Sequence, residues 1–551
     1  MRKGLISPFI HLPIQVLRAF QRKVSLTALK IAGLLGVTVT LVSACDAPRE
    51  PGVLAPVEGF AGLVAGDEPW AVTIGRDIIG NGGSAADAAV AMYFAMAVTL
   101  PSRVGLAGGG VCIAHNSGLG YQDSDPFVEV FQFLPDPAAG GTPQLAGPRS
   151  MAVLHARHGA QRWEQLLGMA ERLGRVGFGV SRAFATDLAA AADYVSADPR
   201  LRAVYSNKAG DLAREGDEIM PSELAGVISG LRRQGAGYLY TGAFASRFVE
   251  AANGIGVPLT VQQLRDTLPV ITPPLVVPID DNSVFFPPPP DAGGLLSAQI
   301  FGMLTEVEDY AGSSPEVRAH LLAEAGQRAF AARGGWLGGS GGDAGQASEA
   351  RLEALMAGYS ASQHNAATAS GSLPAVSNPF TAGFVVADRW SSTVACSFTM
   401  NGLFGDGRMI PGTGVLLPKA PTLGADNLSV ALIANDFNGT VYFAGTASGG
   451  LAAPAALTRV MLESQSNGGD LEAAIAAPRV VNVGAPDVTY HEPSLDPAVL
   501  AGLRQRGHDL RAESGVGRVN ALLCPGGLRN ETDSCQAASD RRGHGLAVRV
   551  Q

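Results

Sequence analysis

The sequence predicts a layered α/β protein, one unit assembled from both ends of the chain. Strand-like runs appear early and again after residue 381, while alanine-rich amphipathic helical windows fill the middle. Hydrophobic residues make up 46% of the 551 positions and charged residues only 16%, enough for a large core. The 70 glycines imply many tight turns and close backbone contacts.

Taken in order, the first 44 residues carry Arg2, Lys3, Arg18, Arg22, Lys23 and Lys30 with no acid, and they end in an apolar run from 31 to 44. A basic stretch followed by such a run is an export signal. It is too short for a spanning helix, which needs about 20 apolar residues. It closes in Leu41-Val-Ser-Ala-Cys45, which resembles the lipobox of bacterial lipoproteins and implies cleavage before a lipidated Cys45. An ordinary secretory signal with an incidental cysteine is the alternative. The expected location is the periplasmic or cell-surface side of a bacterial membrane, with residues 45–60 as a tether. Without the leader, 34 basic residues face 49 acidic ones, a net charge of about −15, so no basic surface invites nucleic acid.

Folded structure starts after residue 60. Residues 85–98 are almost wholly apolar behind Ser84, an expected N-cap, and read as a buried helix. The glycine-rich Leu106-Ala-Gly-Gly-Gly110 leads into a strand over 111–115. Helical windows follow at 163–173, 183–194, 295–310 and 315–331, and 334–342 reads as a flexible loop. Residues 358–380, rich in Ser, Ala and Asn, have no periodicity and read as mobile. Strands are expected at 384–387, 393–399, 430–434 and 441–444, and a helix near 453–464.

Cys112 and Cys396 lie in apolar strand-like runs and read as buried free thiols. Cys524 and Cys535 flank a turn-rich segment and are placed to bridge a hairpin in an oxidising compartment. With no Cys-x-x-Cys pair and no clustered histidine, neither a metal site nor a cofactor is expected.

Thr381 draws attention because a polar tract ends in Asn-Pro-Phe380 and a clean strand begins on the threonine. An N-terminal threonine combines a nucleophilic hydroxyl with its own α-amine as base, and that amine titrates near ~8 unperturbed. Thr381 gains the amine only if the Phe380–Thr381 bond is cut, by attack of its hydroxyl on the preceding carbonyl. The plain alternative is a core threonine that opens a strand.

These residues resemble the γ-glutamyltranspeptidase family, Ntn-hydrolases made as one precursor and self-cleaved at a threonine. The matching pieces are Ser397-Phe-Thr-Met-Asn401, Phe404-Gly405, Pro411-Gly-Thr-Gly-Val-Leu-Leu417, Gly445-Thr-Ala-Ser-Gly-Gly450, Asn81-Gly-Gly-Ser-Ala-Ala-Asp-Ala-Ala89, Leu106-Ala-Gly-Gly-Gly110 and Pro288-Pro-Pro-Asp-Ala-Gly-Gly294. The resemblance implies a four-layer αββα sandwich built from a large subunit (61–380) and a small catalytic subunit (381–551). It implies Thr381 as nucleophile, Thr399 beside it, the Gly449 and Gly450 N–H groups as oxyanion donors, and Asn401 at a substrate-binding position. Glycine suits an oxyanion hole because no side chain separates the N–H from the reacting carbonyl.

Three departures bear on the substrate. Thr381-Ala-Gly383 replaces the family's Thr-Thr-His, and Gln132 stands where the family has an arginine for the substrate's α-carboxylate. A neutral amide does not reproduce a bidentate arginine–carboxylate pair. Pro418-Lys-Ala-Pro-Thr-Leu423 lacks the family's paired acids, and a double serine is reduced to Ser429. Arg103 is a replacement cation or an ordinary surface arginine. The expected function is a self-processing amidohydrolase or transpeptidase acting on γ-glutamyl compounds such as glutathione, or on a related acyl amide, through an acyl-enzyme. A periplasmic lipoprotein that keeps the fold for binding is the alternative.

Overall fold

The computed structural model describes residues 59–119, 127–134, 142–337, 344–367, 376, 380–421, 428–466 and 469–551. The expected signal, Cys45 and nearly all of the tether lie outside these residues.

In chain order, two-residue strands aside, the strands of the first half are β1 (Gly62–Gly66), β2 (Gly109–Asn116), β3 (Phe127–Gln132), β4 (Val270–Thr272), β5 (Leu275–Ile279) and β6 (Asn282–Phe286). The second half supplies β7 (Thr381–Asp388), β8 (Thr393–Thr399), β9 (Ser429–Ala434), β10 (Val441–Ser448), β11 (Val480–Asn482), β12 (Thr489–His491), β13 (Leu510–Ala512), β14 (Arg518–Leu523), β15 (Gln536–Ser539) and β16 (Leu546–Val550). One antiparallel sheet runs β16-β1-β7-β8-β2-β3-β4, and a second runs β15-β14-β10-β9-β6-β5. Both ends of the chain meet in the first sheet, where β16 pairs with β1, as the sequence pattern predicted; the second sheet joins β5 and β6, from the middle of the chain, to four strands of the second half.

Strand alternation divides the core into layers. Leu63, Ala65, Val385, Ala387 and Ala395 face between the sheets and meet Val430, Leu432, Ala444 and Leu522. Their neighbours Val64, Phe384, Val386 and Phe398 face outward onto helix α2 (Ala85–Thr99), behind α1 (Pro69–Gly80). On the far side, Ala431, Ile433, Phe443 and Val519 pack on helices α4 (Ala292–Gly302) and α6 (Ala453–Ser466). Helix α3 (Arg182–Ala190) lies in the helical stretch between β3 and β4, and α5 (Pro315–Ala332) follows α4. The order helix, sheet, sheet, helix is the expected αββα sandwich.

Helix α2 bears out its reading. Every residue is buried, and Ser84 and Asp87 cap it reciprocally through Asp87 N to Ser84 Oγ (3.1 Å) and Ser84 N to Asp87 Oδ2 (2.9 Å). The Ala85 amide also donates to Asp388 at the far end of β7, which ties the helix to the strand that begins at Thr381.

Several expectations need correction. The windows at 163–173 and 183–194 each break into two short helices, Trp163–Leu166 with Gly168–Val176, and α3 with Ala192–Ala197. Helix α4 stops at Gly302, and a π-turn over Met303–Val307 follows. Cys112 and Cys396 are not free thiols: they sit directly opposite one another on β2 and β8 and form a disulfide. Adjacent antiparallel strands bring such a pair within bonding reach, although 284 residues separate the two in sequence. Cys524 is bonded to Cys535. The described part of 358–380 is held down, with His364 N donating to Arg506 O, Ala367 N to Gln327 Oε1, and Val376 buried in the core. Residues 368–375 and 377–379 lie outside the described residues, as do 338–343 of the expected loop.

Candidate active site

Thr381 opens β7 fully buried, and it shares its strand face with Gly383, Val385 and Ala387, toward the second sheet. Thr399 lies directly opposite it on β8. Across the gap runs β10. A Cβ on Gly383 would lie 2.4 Å from Thr446 Oγ1 and 2.5 Å from Cys396 O, so glycine is what lets the two sheets close together here. At the end of β10 the chain turns through Gly449 at φ +118°, where a Cβ would meet Gly517 Cα at 2.8 Å. That turn aims the Gly449 N–H at Thr381, and it donates to Thr381 Oγ1 at 3.0 Å. Gly450 follows, opening a 3₁₀ turn that feeds α6, whose positive N-terminal end favours developing negative charge. The Ala452 amide in that turn is taken by the carbonyl of Val376, four residues before Phe380.

Two groups beyond the expected set brace the threonine. Arg518 on β14 donates from Nη2 to Thr381 O (3.1 Å) and from Nε to Ser448 Oγ (3.1 Å). Burial, then repulsion from Arg103, pulls its guanidinium down to about 10, so it remains a cation at neutral pH. Asp67, just after β1, accepts from Gly383 N (2.8 Å) and from Asn520 Nδ2 (3.0 Å), and Ser539 Oγ donates to Asn520 Oδ1 (2.7 Å). No local pattern marks these contacts, because Arg518 and Asp67 lie 137 and 316 residues from their partners on β7.

The remaining expected residues divide. Thr399 Oγ1 accepts from the Asn401 amide (2.8 Å), and Asn401, at φ +58°, donates from its side chain to Lys419 O (3.0 Å). These bonds hold the loop that leaves β8 beside the nucleophile. Ser429 is buried on β9 opposite Ala447, two residues before Gly449. Gln132 lies on β3 in the same sheet row as Gly383, three strand spacings or about 14 Å away. Its amide serves backbone, with Nε2 donating to Pro288 O (3.0 Å) and Oε1 accepting from Asp291 N (3.2 Å). Arg103 is neither a surface residue nor a free cation. It is buried and held bidentately by Asp187 on α3, at 2.7 and 2.6 Å, with Ser102 on the same carboxylate.

Comparison with known proteins decides the family. The profile described as Gamma-glutamyltranspeptidase matches residues 71–421 and 427–550. The chain belongs to the γ-glutamyltranspeptidase family. Its relatives include a glutathione hydrolase proenzyme of Escherichia coli, 24% identical over 92% of this chain and 95% of that one. Another is glutathione hydrolase 5 proenzyme of Mus musculus, 26% identical over 93% and 96%. Among solved structures, a cephalosporin acylase from Bacillus halodurans superposes with a TM-score of 0.74 at 19% identity, covering 92% of this chain and 99% of that one; this likeness speaks for the fold. Proenzymes of the family are cleaved into a large and a small subunit and act on amide substrates. The chain is an enzyme of the γ-glutamyltransferase/hydrolase type.

Proposed function

We propose that the chain cuts itself between Phe380 and Thr381 and then uses Thr381 as the nucleophile of an amidohydrolase or transpeptidase. The observation that carries this reading is the 3.0 Å bond from Gly449 N–H to Thr381 Oγ1 inside the gap between the sheets. In the first reaction Oγ1 attacks the Phe380 carbonyl carbon, the Thr381 nitrogen departs as the amine, and water hydrolyses the resulting ester. The products are a carboxylate at Phe380 and a free α-amine on Thr381.

In turnover, that amine accepts the hydroxyl proton as Oγ1 attacks the substrate's amide carbon. The Gly449 and Gly450 N–H groups stabilise the oxyanion, a contribution of about 3 kcal/mol per donor. The amine leaving group takes the proton, and the acyl-threonine ester is released to water or to an acceptor amine. Thr399 fixes the strand opposite, and Arg518 holds the Thr381 carbonyl so that the amine and hydroxyl keep their mutual orientation.

The acyl donor is a γ-glutamyl compound such as glutathione, or a related acyl amide. The related amide is favoured by two observations: the amide of Gln132 is spent on backbone, and Arg103 is spent on Asp187. Denaturing, reducing electrophoresis tests the cleavage: two fragments are expected for the wild type and one for Thr381→Ala, and an uncut yet active wild type overturns it. Release of amine from a γ-glutamyl anilide, set against simple acyl anilides, tests the substrate. Export and a lipid anchor at Cys45 belong to the same proposal. The two disulfides suit an oxidising compartment. Fatty-acid labelling that survives in Cys45→Ser sinks the anchor.

A further inference from the structure

Two histidines and a glutamate from separate parts of the chain converge outside the set of residues that surrounds Thr381. His320 and Glu324 lie one turn apart on the same side of α5, and His508 comes from the turn before β13. One nitrogen of each imidazole and one carboxylate oxygen lie within 4.8 Å of one another, all on buried residues. His320 Nδ1 and His508 Nε2 are 2.7 Å apart. The sequence offered no hint of the cluster, since 188 residues separate the two histidines.

Each of the three groups is also fixed from outside. His320 Nε2 faces the Ser360 carbonyl at 2.8 Å. A carbonyl only accepts, so the ring proton sits on Nε2, and the Nδ1 lone pair points into the cluster. His508 Nδ1 meets Thr489 Oγ1 at 2.9 Å, a hydroxyl that also accepts from Asn482 Nδ2 at 3.1 Å. Glu324 is gripped by His364 Nδ1 on Oε1 and by Arg328 Nη1 on Oε2, both at 2.5 Å, and His364 is backed by Asp487 at 3.0 Å. Outer partners on every ligand are the mark of a metal site, where they set tautomers and orient the donor atoms.

The Thr489 hydroxyl selects between two states. If it donates to His508 Nδ1, then His508 Nε2–H donates to His320, and the cluster is a closed chain of hydrogen bonds. If it accepts from Nδ1–H, both imidazole lone pairs point at one spot, and a cation takes the place of the shared proton.

We propose that His320, Glu324 and His508 form a binding site for a divalent transition metal of the zinc class, with water completing four-coordination. Two imidazoles and one carboxylate suit zinc, whereas calcium and magnesium prefer all-oxygen shells. The site joins α5 and residues 359–367, which precede Thr381, to residues 482–508, which follow it, so the ion acts as a structural pin between the two parts.

The test uses tag-free, full-length protein, equilibrated with zinc and then desalted. We expect about one zinc per chain by elemental analysis and a melting temperature a few degrees above that of chelator-stripped protein. His508→Ala and His320→Ala should each lose the zinc and the thermal shift. Wild-type protein loaded with cobalt(II) should show the intense visible bands of a tetrahedral nitrogen-ligated ion, a readout that does not depend on any variant folding. Substoichiometric zinc, zinc retained in both variants, or a weak octahedral cobalt spectrum would each overturn the site. All of these outcomes are independent of whether the chain cuts itself.

Discussion

Replacing Arg518 with glutamine tests whether the α-amine of Thr381 is the base. Glutamine keeps an N–H to offer the Thr381 carbonyl and removes the charge. Arg518 Nη2 is 3.1 Å from that carbonyl oxygen, which places the cation about 5 Å from the α-nitrogen of the same residue. At an effective dielectric of about 20, two positive charges at that distance repel by about 3 kcal/mol, a ceiling of just over 2 pKa units. Arg518 is partly exposed, so screening brings the expected effect to about 1 unit. The sign is fixed: a neighbouring cation disfavours the protonated amine, so losing it raises the amine's pKa and leaves less free base at pH 7. The acid limb of kcat/KM against pH should therefore move up by about 1 unit, with activity near pH 7 down about tenfold. Self-cleavage, which precedes the free amine, should survive. A cut, folded Arg518→Gln enzyme with an unmoved acid limb would refute the amine as base.

Other outcomes follow from particular contacts. Because Cys112 precedes Thr381 and Cys396 follows it, the cut chain should run as a single species on a non-reducing denaturing gel and as two after reduction; separation without reductant would contradict the disulfide. Gly449→Ala forces a Cβ to 2.8 Å from Gly517 Cα and strains a backbone at φ +118°, so the N–H should leave Thr381 and kcat should fall roughly 10²–10³-fold, measured on the cleaved enzyme. Glu68 is fully buried, and burial pushes its carboxyl up from 4.5 to about 8, against hydrogen bonds from Ser181 and Trp70. Between those values the native state holds a proton that the unfolded state releases, so stability falls as pH rises toward 8. Melting temperatures across that range should decline less steeply in Glu68→Gln than in the wild type; equal slopes would count against the shift.

Local chemistry made much of the molecule legible in the sequence. The Ser84 cap and unbroken apolar run specify α2 without help from distant residues, and the short apolar, β-branched and aromatic runs after Thr381 specify β7 and β8 as buried strands. The boundary at Thr381 and the glycines at 449 and 450 stood out because turns and strand starts are short-range events. Tertiary structure alone decided what those elements do to one another. Cys112 and Cys396 each read as an ordinary apolar strand residue, and only the pairing of β2 with β8 makes them a disulfide. Arg103 was legible as a charge but not as Asp187's partner, and Gln132 was legible as a substitution but not as the clasp on Pro288 and Asp291. Arg518 at the Thr381 carbonyl and the meeting of His320 with His508 depend on strand order and helix packing across more than a hundred residues. Periodicity and capping act within one or two turns of chain, whereas a catalytic or ligand cluster is a coincidence in space that the sheet order creates.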